Sequence, residues 1–230
     1  MFQNDSEDLY IHAPVNVTRG IKSEFKNGVY TIVNNNLSGT PAKLFIVVKD
    51  LKSLKATGKV NIITPTNIYT KALSLNLSDE VNATLYLSSE ELALDVKGNG
   101  HVSVSGEIDT LRLKTEGSGD ITFDIKCHKV FSTLKSESEV VFEGSIFYLY
   151  SEVYQYAIID NSSTVTGTCV VSTYDNGMAK LRAEDQLFLH AGGRSTIIYR
   201  GEGKVVIAEK EKKASIRPEI KSKSLITKLD

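Results

Sequence analysis

Along this chain of 230 residues, an alternation of apolar and polar positions restarts about every twenty residues, each time after a break of small residues. No other feature limits the fold so tightly. In the clearest copy, Leu111 and Leu113 lead to Gly117-Ser118-Gly119-Asp120, and Ile121, Phe123 and Ile125 follow. Period-two alternation on both sides of a glycine break is the pattern of two short strands around a turn. One copy earlier, Leu92, Leu94 and Val96 lead through Gly98-Asn99-Gly100 to Val102 and Val104; before that, Leu73, Leu75 and Leu77 lead to Val81. The anchors Val81, Val102, Ile121 and Val140 stand 21, 19 and 19 residues apart. Beyond them the period is expected to loosen. Taking Asn161/Ser163, Asp175/Gly177 and Gly193/Ser195 as the next corners puts Val165, Ala179 and Ile197 in line, at steps of 25, 14 and 18.

Each unit has one apolar stripe that it cannot bury alone, and stacking on its neighbours buries it. A propeller blade needs about forty residues, twice what is present. A leucine-rich repeat would return through a helix, whereas Val102-Ser103-Val104 and Ile121-Thr122-Phe123 are strand-like. The expected fold is all-β: a single-stranded, right-handed, parallel β-helix-like solenoid with coils of about 19–21 residues. An antiparallel sandwich is the main rival, since Gly-x-Gly can close hairpins. Hairpins, however, do not require equivalent residues to recur in register. One solenoid domain over 1–220 is expected, with irregular coils at 8–50, repeats at 51–207 and a fraying tail at 221–230. Gly98, Gly100, Gly117, Gly119, Gly177 and Gly193 are the expected structural turns. Cys127 and Cys169 share the parity of core positions and read as small buried hydrophobes.

A formal net charge of -1 gives no general attraction to nucleic acid. No apolar run is long enough to cross a membrane as a helix. Met1-Phe2 runs directly into Gln3-Asn4-Asp5, which is not a secretory leader, so an exported protein would have its leader outside this sequence. Two cysteines and four scattered histidines offer neither a disulfide framework nor metal-ligand spacing, and no cofactor motif is legible.

Two constellations stand out. Phe147, Tyr148, Tyr150, Tyr154 and Tyr156 are the one aromatic cluster in a chain of small and aliphatic residues. Alternation turns some of these rings outward, where they can contact a glycan or a partner protein, or let two copies associate through flat faces; filling an enlarged coil is the structural alternative. Asp120 and Glu139 occupy equivalent places on adjacent copies, in a line read as Glu80, His101, Asp120, Glu139, Thr164. Stacking would bring these carboxylates about 5 Å apart, a spacing for general acid–base work. Solvated turn residues are the plainer reading.

With these copies laid out, the chain resembles the head-GIN domain family of proposed auto-transporter adhesins, a domain of unknown function from Bacteroides-type bacteria. The resemblance runs from Tyr10 to Arg217. It rests on the strand and turn at Glu24–Ile32, the aliphatic run Leu44–Leu54, the Gly-Ser-Gly-Asp-hydrophobic turn at Gly117–Ile121, and a closing Tyr199, Gly201, Val205 and Val206. It implies a β-helix and an exported, periplasmic or cell-surface location, and brings no catalytic residues. Two functions follow as expectations: a non-enzymatic, adhesin-like module binding glycan or protein, or a polysaccharide-degrading enzyme using Asp120 and Glu139.

Overall fold

The computed structural model describes residues 1–35 and 40–219, so the tail expected at 221–230 lies outside the described residues. The chain divides into two compact units, residues 1–50 and 51–230.

In the first unit, β1 (Phe2–Gln3) and β2 (Asp8–His12) flank β5 (Lys43–Val48), parallel and antiparallel to it respectively. A helical turn, α1 (Val15–Thr18), follows Pro14, so the stretch after Tyr10 is not extended throughout. β3 (Ile21–Lys26) and β4 (Val29–Asn34) form an antiparallel hairpin. Asn27 and Gly28 close it at φ of 52° and 77°, both left-handed, the backbone that a two-residue hairpin loop requires.

The second unit is a right-handed parallel β-solenoid of about nine turns. Its strands are β6 (Ser53–Thr57), β7 (Val60–Ile63), β8 (Ile68–Asp79), β9 (Val81–Gly98), β10 (His101–Gly117), β11 (Asp120–Ser136) and β12 (Glu139–Val153). They continue as β13 (Ile158–Asn161), β14 (Val165–Thr173), β15 (Met178–Arg182), β16 (Gln186–Ala191), β17 (Thr196–Arg200), β18 (Lys204–Lys210) and β19 (Ser215–Pro218). Every pairing between these strands is parallel. Among the described residues no hairpin pairs within this unit, which removes the sandwich.

Each long strand is one coil bent at corners where the inward alternation slips. In the coil 101–119, Val102, Val104, Ile108, Leu111 and Leu113 are all at most 2% exposed. Gly106 takes φ of 138° at one corner, and Asp109 is skipped by the ladder at the next. The interior is filled by like on like: Phe123 and Phe142 stack at 4.9 Å with planes 13° apart, both fully buried. Polar side chains that face inward find partners on the neighbouring coil. Thr115 and Ser138 lie 2.6 Å apart, Ser132 donates to Ser151 at 2.8 Å, and Thr173 donates to Ser195 at 2.8 Å. A buried hydroxyl without such a partner would cost about 1–3 kcal/mol.

The period does not loosen after Val140. Val140 pairs with Ile159, Ile159 with Ala179 and Ala179 with Ile197, at steps of 19, 20 and 18. Val165, expected inside, is 51% exposed, and Asn161, expected at a corner, is fully buried with its amide on Thr166 Oγ1 at 2.9 Å. The corner was misplaced because it lacks its glycine: Gln155 adopts the left-handed φ of 61° there, as Ser136 does at 66° and Asp175 at 58°. At the front, Val102 pairs with Ala83 rather than Val81, which makes that step 19 as well.

Gly98, Gly117 and Gly193 occupy the left-handed position of this corner, at φ of 107°, 127° and 66°. Gly100, Gly119 and Gly177 stand two residues later and face inward, where a Cβ would approach backbone oxygens of the preceding coil at 1.9, 2.6 and 2.8 Å.

Leu113→Ala should lower the unfolding free energy by about 2–5 kcal/mol in urea titration, since Leu113 is buried in the stack and its removal leaves a cavity. Gly117→Val should be at least as damaging: besides its φ, a Cβ there would lie 2.3 Å from the Gly98 oxygen. A melting temperature within a degree of wild type would contradict this stacking. Burial pushes the Cys127 thiol up to about 11 and the Cys169 thiol up to about 12, from 9.0. Neither should alkylate in the native protein at pH 8, while both react in denaturant. Because the unfolded thiols ionise first, their contribution to stability should decline as pH rises above 9.0.

Candidate binding surface

The stretches 110–116, 129–135, 148–154 and 168–174 lie in register on successive coils and form one long face. Residues of equal register are about 4.8 Å apart, so outward side chains on neighbouring coils touch. One row carries Arg112, Phe131, Tyr150 and Val170. The Arg112 guanidinium, held at 3.0 Å by Glu91, sits 5.2 Å from the centre of the Phe131 ring. Phe131 in turn packs at a tilt against Tyr148 and Tyr150, with ring centres 6.2 and 6.4 Å away.

A second row runs Lys135, Tyr154 and Tyr174, and His190, the register partner of Ser172, leans in from beside it. Lys135 Nζ lies 5.9 Å over Tyr154, Tyr154 stacks on Tyr174 at 4.8 Å and 12°, and His190 tilts against Tyr174 at 5.2 Å. Both faces of the Tyr154 ring are therefore covered by its own ladder. Between the rows, Glu152 accepts hydrogen bonds from Tyr150 Oη at 2.8 Å and Tyr154 Oη at 3.2 Å. The hydrogen bond to Glu152, with some burial, pushes the Tyr150 phenol up to about 12. Burial, and then the Glu152 charge, raises Tyr154 as well. Both phenols stay protonated donors. A depression of about 420 Å³ opens beside them, floored by Thr133, Lys135, Glu152 and Tyr154.

Of the five aromatic residues singled out in the sequence, Tyr148, Tyr150 and Tyr154 share this face. Phe147 and Tyr156 stand at its two edges, 61% and 63% exposed. Phe147 lies in a corner, stacked on His128 at 4.8 Å with planes 4° apart. Phe131, Glu152 and Tyr174 belong to the face and were missed. The signal was present: Phe131 and Tyr150 are 19 residues apart, and Tyr154 and Tyr174 are 20 apart. Reading a 25-residue step at this point hid both pairs.

Asp120 and Glu139 are register partners on the opposite strands of the coil. The line through them reads Asn82, His101, Asp120, Glu139, Ile158, without Glu80 or Thr164. Thr164 is buried, its hydroxyl donating to the Phe142 carbonyl at 2.6 Å. Asp120 pairs with His101 Nδ1 at 3.0 Å, and both side chains are more than half exposed, at 59% and 70%. Both groups lie open to solvent. Further along the same face, burial works to raise the Asp160 pKa, but hydrogen bonds from Ser162 and from Lys180 Nζ at 3.0 Å overcome it and hold the carboxyl below its ordinary value. Among the described residues, no group of three His, Cys, Asp or Glu side chains is placed to hold a metal ion.

A family model described as "Putative auto-transporter adhesin, head GIN domain" matches residues 1–121 and 107–203. Among solved structures, a "putative adhesin" from Parabacteroides merdae superposes with a TM-score of 0.68 at 19% identity, over 95% of this chain and 86% of the other. A "putative adhesin" from Parabacteroides distasonis gives 0.67 at 19% identity, over 95% and 87%. A "putative lipid binding protein" from the same species gives 0.66 at 19% identity, over 94% and 84%. At this identity the likeness speaks to the fold. No curated protein matches the sequence. The two matched stretches together span most of the chain, and it belongs to the head-GIN domain family of auto-transporter adhesin-like proteins.

Proposed function

We propose that this chain is a non-catalytic module, exported and displayed at the cell surface, that binds a glycan or a protein through the aromatic face of its solenoid. The observation that carries the proposal is the gathering of Phe131, Tyr148, Tyr150, Tyr154 and Tyr174 on one flat face within a few coils. Rings already packed on one another lose little side-chain entropy when a partner covers them, and the tyrosine hydroxyls at the rim supply directional contacts. Phe147 and Tyr156 extend the contact at either edge. The same face allows two copies to associate, which would compete with a foreign partner. The adhesive role and the surface location draw on the family's description. Asp120 and Glu139 are exposed on an open face with no pocket around them among the described residues, which supports binding over catalysis.

The test uses the full chain on a glycan array and on immobilised purified surface proteins. Binding should fall at least tenfold in a Tyr148→Ala/Tyr150→Ala variant and persist in Asp120→Asn/Glu139→Gln. Polysaccharide chain cleavage by the wild type, abolished by Asp120→Asn or Glu139→Gln, would overturn the proposal.

A further inference from the structure

The corner that carries the left-handed residues also carries a row of exposed side chains on its outside. The backbone N–H groups of Asn99, Ser118, Glu137, Tyr156, Asn176 and Arg194 donate to the carbonyls of Asp79, Gly98, Gly117, Ser136, Gln155 and Asp175. These six residues therefore hold the same place on six successive coils, and all are solvent exposed. Beside the row, Gly98 and Gly117 have no side chain and Ser136 a short one. The ground next to it is bare backbone, and a depression of about 470 Å³ results, bordered by Asn99, Ser118, Glu137 and Tyr156.

The chemistry along the row is mixed in a particular order. Tyr156 is 63% exposed, and among the described residues no ring or cation lies over it, in contrast to the covered Tyr154. One coil away, the Glu137 carboxylate has no hydrogen bond or ion pair among the described residues. The next two coils offer Ser118 Oγ donating to Asn99 Oδ1 at 3.0 Å. That bond leaves the Asn99 amide N–H groups and the Ser118 lone pairs turned to solvent. An apolar ring, a free acceptor and a donor–acceptor pair thus follow one another over three steps of about 4.8 Å.

A pyranose ring has the complementary surface: an apolar C–H face to lie on an aromatic ring, and a rim of hydroxyls that both donate and accept. An anionic polymer would meet the Glu137 charge, and a cationic peptide would leave the Asn99–Ser118 pair unused. We propose that this corner is a subsite for a linear, uncharged oligosaccharide, with one sugar ring on Tyr156 and hydroxyls of the neighbouring unit on Glu137 and the Ser118–Asn99 pair. This rests on the surface-binding reading above and assigns the sugar to the corner, leaving the flat face to other contacts.

The experiment is saturation-transfer NMR and calorimetric titration of the full chain. The probes are linear neutral tetrasaccharides (β-1,4-glucan, β-1,3-glucan, β-1,4-mannan and α-1,4-glucan), with sulfated or sialylated oligosaccharides as charged controls. At least one neutral probe should bind and the charged ones should not. Tyr156→Ala should weaken the bound probe at least tenfold, Glu137→Gln several-fold, and Tyr156→Phe little. The melting temperature should be unchanged throughout, as expected for exposed positions. Failure of every neutral probe, or undiminished binding by Tyr156→Ala, overturns the assignment. If binding of a glycan or protein is then lost in Tyr148→Ala/Tyr150→Ala, the surface-binding reading stands without it; if no partner binds by either route, both fall.

Discussion

Everything in the solenoid depends on the parallel backbone ladder that joins each coil to the next. A strand in such a stack must give its N–H groups to one neighbour and its carbonyls to the other, because an unpaired buried backbone group is expensive. That requirement fixes the length of a coil far more tightly than side-chain packing does. It explains why the corner residues Ser136, Gln155, Asp175 and Gly193 follow at 19, 20 and 18 residues although only one of them is glycine. An L-residue held at left-handed φ carries a strain of order 1–3 kcal/mol, and the ladders on both sides of the corner offset it.

The same register governs the surface. Side chains at equal positions are brought within contact of one another, so each outward residue is chosen against its neighbours one coil away. Unlike charges meet in Lys180–Asp160, and cations cover rings in Arg112–Phe131 and Lys135–Tyr154. Exposed ion pairs of this kind contribute only about 0–1 kcal/mol each, so their value lies in avoiding repulsion as much as in attraction. An aromatic ring inside such a ladder has its faces occupied, and what it presents outward is an edge. A ring at a corner keeps a face free. This difference separates Tyr154 from Tyr156 although the two are only two residues apart in the chain.

Legibility in the sequence followed the glycines. Between Leu92 and Phe142 the inward residues alternate visibly, and the Gly98/Gly100 and Gly117/Gly119 corners announce themselves; there the sequence reading and the pairing agree. At Gln155 the corner is made by a residue with no preference for it, while Asn161 and Ser163 look like a corner and are not; the corners at Asp175 and Gly193 fall where the sequence places them. Asn161 is buried because Thr166 and the Arg182 carbonyl satisfy its amide, a circumstance that composition cannot display. The candidate surface suffered from the same slip. Tyr148, Tyr150 and Tyr154 were visible as a cluster, but Phe131 and Tyr174 join them only when coils are counted at their true length.

The sequence by itself determined that the chain stacks: an apolar stripe recurring about every nineteen residues can be buried only by its own repeats. It also determined the class of residue inside, and which family the chain resembles. Only the tertiary structure decided that a corner falls at Gln155, which aromatic rings are sealed in ladders and which remain open, and that Asp120 stands exposed beside His101. Alternation is a local property of a strand. The phase between coils is set by long-range hydrogen bonds, and any residue able to bear the corner's backbone angle can occupy it.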